Sequence, residues 1–324
     1  MEYTRLGQTD LKVSRICFGT WQAGGDWGGI DVELAKDAIR GALELGINFF
    51  DTAQGYGWGR SERLLGQALA PELRPRREEM VIATKGGLRM SGGELRRDSS
   101  PEWLRHGIEQ SLRELGTDHV DLYQVHWPDR DTPVEETAGT LEELVREGKA
   151  RYIGVSNFDA RQMAAFQQHR KVDTLQPPYH IFRREIEDEI LPYCREHGIG
   201  VFVYSPLAHG LLTGKFDEHT EFQADDWRRH SAVFSGEEFH GNLSIVRELA
   251  RFAEERGWTV AQLAVAWALS TPGVDAAIVG ARSREQIEGT APAGDIDLSA
   301  QDRDEADEII EGALPVGGPS PEAV

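Results

Sequence analysis

The chain has 324 residues, 40% of them hydrophobic, enough to bury a sizeable core in one large or two ordinary domains. Its formal net charge of −20 argues against nucleic acid as a partner, although a few focused basic residues can still hold a phosphorylated cofactor. No apolar run approaches a membrane helix in length, and charges at Glu2, Arg5, Asp10, Lys12 and Arg15 leave no signal peptide, so neither membrane nor secretion is expected. Cys17 and Cys194 lack metal-ligand spacing and read as reduced thiols of a cytoplasmic protein.

Residues 1–13 place Gly7-Gln8-Thr9-Asp10 between short extended runs, the pattern of a β-hairpin that plugs the bottom of a barrel. Residues 15–18 read as the first strand of a repeating unit. A helix over 31–45 follows, with Leu34, Ala35, Ala38, Ile39 and Ala42 near helical spacing and Gly46 as its stop. The second strand covers 48–50 and the next helix 61–69. The third strand, 80–84, precedes a helix over 101–115 with Ser100 as N-cap and Pro101 in its first turn. Strand–helix pairs continue at 120–125 and 134–147, 151–155 and 160–168, and 173–176 and 186–197. The seventh strand, 200–204, leads into 215–241, which lacks a clear period and is expected to be a long mobile loop before helices at 243–256 and 260–270. The eighth strand, 276–279, is followed by a helix from Ser283 and by an acidic helix over 302–311.

Eight strands, each followed by a helix, predict an all-parallel sheet closed on itself, a (β/α)8 TIM barrel. Its N-terminal β-hairpin, the long loop after strand seven and a C-terminal helical tail account for the length beyond a barrel's usual ~250 residues. We expect one domain over 1–312 and a disordered Gly/Pro-rich tail over 313–324.

Active sites of such barrels lie at the C-terminal ends of the strands. Asp51, Tyr56, Lys85 and His126 all fall there, after strands two, three and four. Singly, each has an ordinary explanation as a cap, a packing aromatic, a surface lysine or a core histidine. Together they form an acid, a phenol, an amine and an imidazole able to set a phenol proton for transfer to a carbonyl. Other chemistries fit less well. The glycine-rich loop from Gly55 has Arg60 where a dinucleotide-binding fingerprint needs its third glycine. Asp51 has no second carboxylate facing it, as a glycosidase would need. His126, His180 and His209 are scattered over different loops, so no metal site is expected.

The motifs Asp51-Thr52-Ala53-Gln54-Gly55-Tyr56-Gly57, Ile82-Ala83-Thr84-Lys85 and Leu122-Tyr123-Gln124-Val125-His126 resemble those of the aldo-keto reductases. So do Gly154-Val155-Ser156-Asn157-Phe158, the stretch 204–215 and Ile278-Val279-Gly280-Ala281-Arg282, in the family's order and over nearly the whole chain. Tyr204-Ser205-Pro206-Leu207, with Trp127 after His126, is most similar to the bacterial branch that resembles potassium-channel β subunits. The resemblance implies an oxidoreductase that reduces an aldehyde or ketone to an alcohol with NADPH. It casts Tyr56 as general acid, Lys85 as the cation that lowers the phenol's pKa from about 10, Asp51 as the anchor of Lys85, and His126 as the group that positions the carbonyl oxygen.

For the cofactor, the resemblance implies that Ser156, Asn157 and Gln176 hold the carboxamide and that Tyr204 stacks on the nicotinamide, with Thr20 and Trp21 lining that end. Ser205, Pro206, Leu207, Gly210 and Lys215 lie in the loop that would cover the pyrophosphate. Gly280, Arg282 and Gln286 would meet the adenosine end, Arg282 and Lys215 being the candidates for a ribose 2′-phosphate and hence for NADPH over NADH. Thr290 departs from the asparagine common in related chains and lacks its amide pair. Trp21, Trp58, Trp127 and Trp227, with Phe222 and Phe234, would wall the substrate pocket and favour a flat or apolar carbonyl compound. A slow-turnover NADPH sensor on the same fold is the alternative. No pattern in the chain names the natural substrate or an oligomeric state.

Overall fold

The computed structural model describes residues 1–25, 29–73, 75–223 and 226–318. Strands β1 (Tyr3–Arg5) and β2 (Lys12–Ser14) pair antiparallel as the expected hairpin. Its Leu6, Leu11 and Val13 are fully or almost fully buried beneath the barrel. Gly7 makes that seat possible. It sits at φ +55°, and a Cβ there would fall 2.3 Å from the Gly200 amide nitrogen.

The chain then runs through β3 (Ile16–Gly19), β4 (Phe49–Asp51) and β5 (Val81–Gly86), a side hairpin of β6 (Leu88–Ser91) and β7 (Glu94–Arg97), and β8 (Val120–Val125). It continues with β9 (Ala150–Ser156), β10 (Thr174–Gln176), β11 (Gly200–Val203) and β12 (Ala276–Gly280). Eight of these strands close in the order β10-β11-β12-β3-β4-β5-β8-β9, every pair parallel. This is the expected (β/α)8 barrel. The helices α1 (Val32–Glu44), α2 (Arg60–Leu73), α3 (Pro101–Leu115), α4 (Val134–Arg146), α5 (Ala160–Gln167) and α6 (Ile190–His197) follow successive strands. They are joined by α7 (Gly236–Glu254), α8 (Val260–Leu269), α9 (Arg284–Thr290) and α10 (Ala300–Ile309). No helix among the described residues is long and apolar enough to cross a membrane.

Local chemistry sets several boundaries as read. Ser100 accepts from the Trp103 amide at the start of α3, and Gly116 ends it at φ 70°. Elsewhere the structure moves them. β4 ends on Asp51 and β5 extends to Gly86, because pairing with neighbouring strands carries the extended chain past the last apolar residue. The β6–β7 hairpin was not anticipated, although Gly92-Gly93 is a turn signal between alternating leucines and arginines. α7 begins at Gly236 rather than 243, which places Phe239, Leu243 and Val246 on one buried stripe. The described residues of 215–241 also pack, through Phe216, Phe222, Trp227, Phe234 and Phe239 in mutual ring contact. The expected disorder over 313–324 does not hold for 313–318. Val316 is fully buried and its amide donates to the Phe182 carbonyl, while Leu314 exchanges hydrogen bonds with Asn242. Residues 319–324 lie outside the described residues.

Candidate active site

Side chains alternate along a strand, so every second residue of the barrel strands points inward. On β4 the inward residues are Phe49 and Asp51, on β5 Val81, Ala83 and Lys85, and on β8 Leu122 and Gln124. Phe49, Val81, Ala83 and Leu122 join Phe202 and the hairpin in one apolar cluster at the bottom of the barrel. Asp51, Lys85, Gln124 and Gln176 form a buried polar layer above it.

That layer is knit tightly. The Lys85 ammonium lies 2.6 Å from Asp51 Oδ2 and donates to the Thr52 carbonyl at 2.9 Å and to the Tyr56 hydroxyl at 3.3 Å. Asp51 Oδ1 accepts from Gln176 Nε2 at 2.9 Å and from Gln124 Nε2 at 3.5 Å. Burial pulls the Lys85 ammonium toward neutrality, but Asp51 and the Tyr56 hydroxyl outweigh it and hold its pKa above the ordinary lysine value. Lys85 is therefore a cation at neutral pH. Its ammonium sits 4.9 Å from the centre of the Tyr56 ring.

His126 follows β8, and its ring meets Tyr56 edge-on with centroids 5.5 Å apart. Burial and then the Lys85 charge push its pKa well below the usual histidine value. The imidazole is thus neutral, and its Nδ1 is buried without a hydrogen-bond partner. Behind β5, Thr84 donates to the fully buried Glu62 on α2 at 2.6 Å, and burial raises Glu62 to about 7.

Asp51, Tyr56 and His126 open into a cavity of about 790 Å³ across the barrel mouth. Ser156, Asn157, Gln176 and Tyr204 line it and are bonded to one another. Ser156 Oγ donates to the Gln176 carbonyl, and the Tyr204 hydroxyl donates to Asn157 Oδ1 at 2.8 Å. Asn157 is held at φ +63° by this network and by its donation to the His126 carbonyl. Such strain costs on the order of 1–3 kcal/mol and persists at functional sites. Ser205, Pro206, Leu207, Gly210, Lys215, Gly280, Arg282 and Gln286 also line the cavity, as do Trp21, Trp127 and Trp227.

Four of the expected residues are placed elsewhere: Thr20, Trp58, and Phe222 and Phe234, whose rings pack on each other in the segment after β11 instead of lining the cavity. Thr20 is buried behind the wall, donating to the Asp51 carbonyl and accepting from Ser61. Trp58 is not among the lining residues and stands 39% exposed on the turn before α2. Among the described residues no cluster able to hold a metal ion is present. The structure adds residues that sequence reasoning left without a role. Gln124 clamps Asp51 opposite Gln176. His209, lowered to about 3 by burial and then by Arg183 and Arg228, lines the cavity between Trp21 and Trp227. Both stand inside motifs already quoted, but nothing in the sequence says which way a residue in the middle of a motif points.

The lining suits a nicotinamide dinucleotide. Amide and hydroxyl groups line the same cavity as Tyr56, as a carboxamide requires, and the segments after β11 and β12 bring Lys215 and Arg282 to it, together with Arg228, which is paired with Asp226. At Gly210, φ 101° disfavours any side chain, and a Cβ there would sit 3.1 Å from both the Arg228 guanidinium and the Phe216 ring.

The family model of the aldo/keto reductase family matches residues 15–311. The chain is 41% identical to the aldo-keto reductase YhdN of Bacillus subtilis, over 98% of this chain and 96% of that one. It is 36% identical to an NADH-specific methylglyoxal reductase of Escherichia coli (93% and 96% covered). It is 35% identical to a probable voltage-gated potassium channel subunit beta of Arabidopsis thaliana (91% and 92% covered). The solved structure of the glycerol dehydrogenase AKR11B4 from Gluconobacter oxydans superposes with a TM-score of 0.88 at 38% identity, covering 98% of both chains. A closed parallel barrel with a phenol, an ammonium, a carboxylate and a neutral imidazole at its mouth, matched over almost its entire length, places this chain in the aldo/keto reductase family of oxidoreductases.

Proposed function

We propose that the protein reduces an aldehyde or ketone to an alcohol, with Tyr56 as proton donor and NADPH as preferred cofactor. The observation that carries this reading is the Tyr56 hydroxyl 3.3 Å from a lysine whose ammonium is fixed 2.6 Å from Asp51. A bound reduced nicotinamide supplies the hydride to the carbonyl carbon. Tyr56 gives its hydroxyl proton to the carbonyl oxygen, and the phenolate left behind faces the Lys85 cation. His126 is neutral and so acts as a hydrogen-bonding group that orients the oxygen rather than as the acid. Asp51, held by Gln124 and Gln176, keeps Lys85 in place. Ser156, Asn157 and Gln176 would hold the carboxamide end. Lys215 and Arg282 support the preference for NADPH, against which stands the similarity to an NADH-specific relative.

A panel of carbonyl compounds assayed with both reduced cofactors tests the reading. Turnover is expected with several aldehydes, faster with NADPH at limiting cofactor; no turnover with any of them overturns it. The similarity to a channel β subunit supports a second reading, a slow-cycling cofactor-binding sensor. Rapid single-turnover oxidation of bound NADPH followed by very slow cycling would favour that one.

A further inference from the structure

The cavity changes character around its rim. Its charged side chains other than Asp51 all follow β11 or β12: Lys215, Arg228, Arg282 and Glu285. The walls beside Tyr56 and His126 that come from β5 and β8 are Leu88, Leu95 and Trp127, with no charge among them. Two of these three belong to the β6–β7 hairpin.

The hairpin is amphipathic. Residues opposite one another in an antiparallel pair share a face. Leu88 pairs with Arg97 and Met90 with Leu95, while Arg89 pairs with Arg96 and Ser91 with Glu94. One face is thus Leu88, Met90, Leu95 and Arg97, and the other is polar. Leu88 and Leu95 line the cavity, and Arg97 lies over Trp127 with its guanidinium 5.0 Å from the ring centre. Met90 shares this face yet is 47% exposed. An apolar surface that starts inside the active-site cavity and runs out uncovered at its mouth matches a ligand with an apolar body. The base is fixed, since Trp103 Nε1 donates to the Leu88 carbonyl at 2.8 Å and the Asp98 amide donates to the Gly87 carbonyl at 3.0 Å. The tip, Gly92-Gly93, is open: a Cβ at either glycine would meet nothing within 4 Å. Leu88 also packs on Gly55, next to Tyr56, where an added Cβ would approach its Cδ1 to 3.3 Å.

We infer that this hairpin reads the substituent on the carbonyl carbon, with Leu95 as its specificity-determining residue and Met90 as its outer contact, and that it selects uncharged carbonyl compounds with an extended apolar chain. The inference rests on the carbonyl-reductase reading above. Straight-chain aldehydes from propanal to octanal test it, by the slope of log kcat/KM against chain length. Each methylene buried on the hairpin gains up to about fourfold, so the wild-type slope is expected to be steep. Leu95→Ser should flatten it across the middle of the series. Met90→Ser, at an exposed position that does not endanger folding, should flatten it for the longest members. Retained quenching of tryptophan fluorescence by NADPH reports a folded barrel in each variant. A flat wild-type slope, or the same steep slope in wild type and both variants, overturns the inference while leaving the reductase reading intact. Absence of turnover with every aldehyde in the wild type overturns the reductase reading itself, and the inference with it.

Discussion

The lower and upper halves of the barrel interior are built by the same strands and have opposite tasks. Below, Phe49, Ala83 and Leu122 close against Phe202 and the N-terminal hairpin, with the Phe49 and Phe202 rings 5.0 Å apart. Two residues further along those strands stand Asp51, Lys85 and Gln124. One full period of the pleat, therefore, separates a layer that stabilises the fold from a layer that costs stability. The lower layer gains roughly 1.5–3 kcal/mol for each large apolar side chain it buries. The upper layer takes charges out of water, and a buried ion pair seldom repays that cost in stability. Its return is a fixed cation beside a phenol. The barrel can hold such a layer because the apolar one beneath it, sealed by the hairpin, carries the stability.

Substitutions on the two sides should separate cleanly. Tyr56→Phe is expected to lower kcat by ~10²–10⁴-fold, because the hydroxyl acts chiefly in the transition state. Its urea midpoint should match the wild type; near-normal turnover would remove Tyr56 from the acid's role. Phe49→Ala should do the reverse. Emptying that position in a closed core costs about 3–5 kcal/mol, read by denaturant unfolding, whereas the rate per folded molecule should change little. A strong loss of rate without loss of stability would show that the two layers are not separable.

Smaller effects sharpen the boundary. Arg282→Ala is expected to weaken NADPH binding by about 1.5 kcal/mol, the low end for a charge-assisted hydrogen bond at a half-exposed, salt-screened site. NADH affinity, measured by the same fluorescence titration, should hardly move; equal losses would make Arg282 structural. Glu62, outside the sheet behind Lys85, gives a pH test. Its folded value of about 7 stands above the ordinary 4.5, so the folded state keeps a proton that the unfolded chain has already released. Stability from this group is therefore present at low pH and declines as pH rises from about 4.5 through about 7. Glu62→Gln keeps an acceptor for Thr84 and should flatten that decline, by on the order of 1–3 kcal/mol. Unfolding midpoints of both proteins at either end of the window decide it, and parallel pH profiles would count against a buried proton at Glu62.

Much of this arrangement was legible beforehand. The βα alternation, the hairpin and the caps at Ser100 and Gly116 follow from local signals: period, turn residues and capping chemistry. Asp51, Tyr56, Lys85 and His126 were readable because motifs at strand ends fall at one face of a parallel barrel. The misses share one cause. Thr20 and Trp58 sit beside motif residues but point away from the cavity, and Leu88 and Leu95 sit in a stretch with no motif and point into it. The tail over 313–318 looked disordered from its glycines and prolines, yet Val316 finds a buried site that no local rule describes.

The sequence by itself determined the order of strands and helices, the end of the barrel where chemistry occurs and the residue types available there. Periodicity and capping act over a few residues, and parallel closure carries them to the whole chain. Only the tertiary structure decided which side chains share a cavity: the clamp of Gln124 and Gln176 on Asp51, the neutrality of His126 and His209, and the apolar hairpin face beside Tyr56. Each of these depends on burial and on partners from distant strands, such as the 125-residue separation between Asp51 and Gln176. Desolvation and hydrogen-bond geometry arise only once those strands lie side by side.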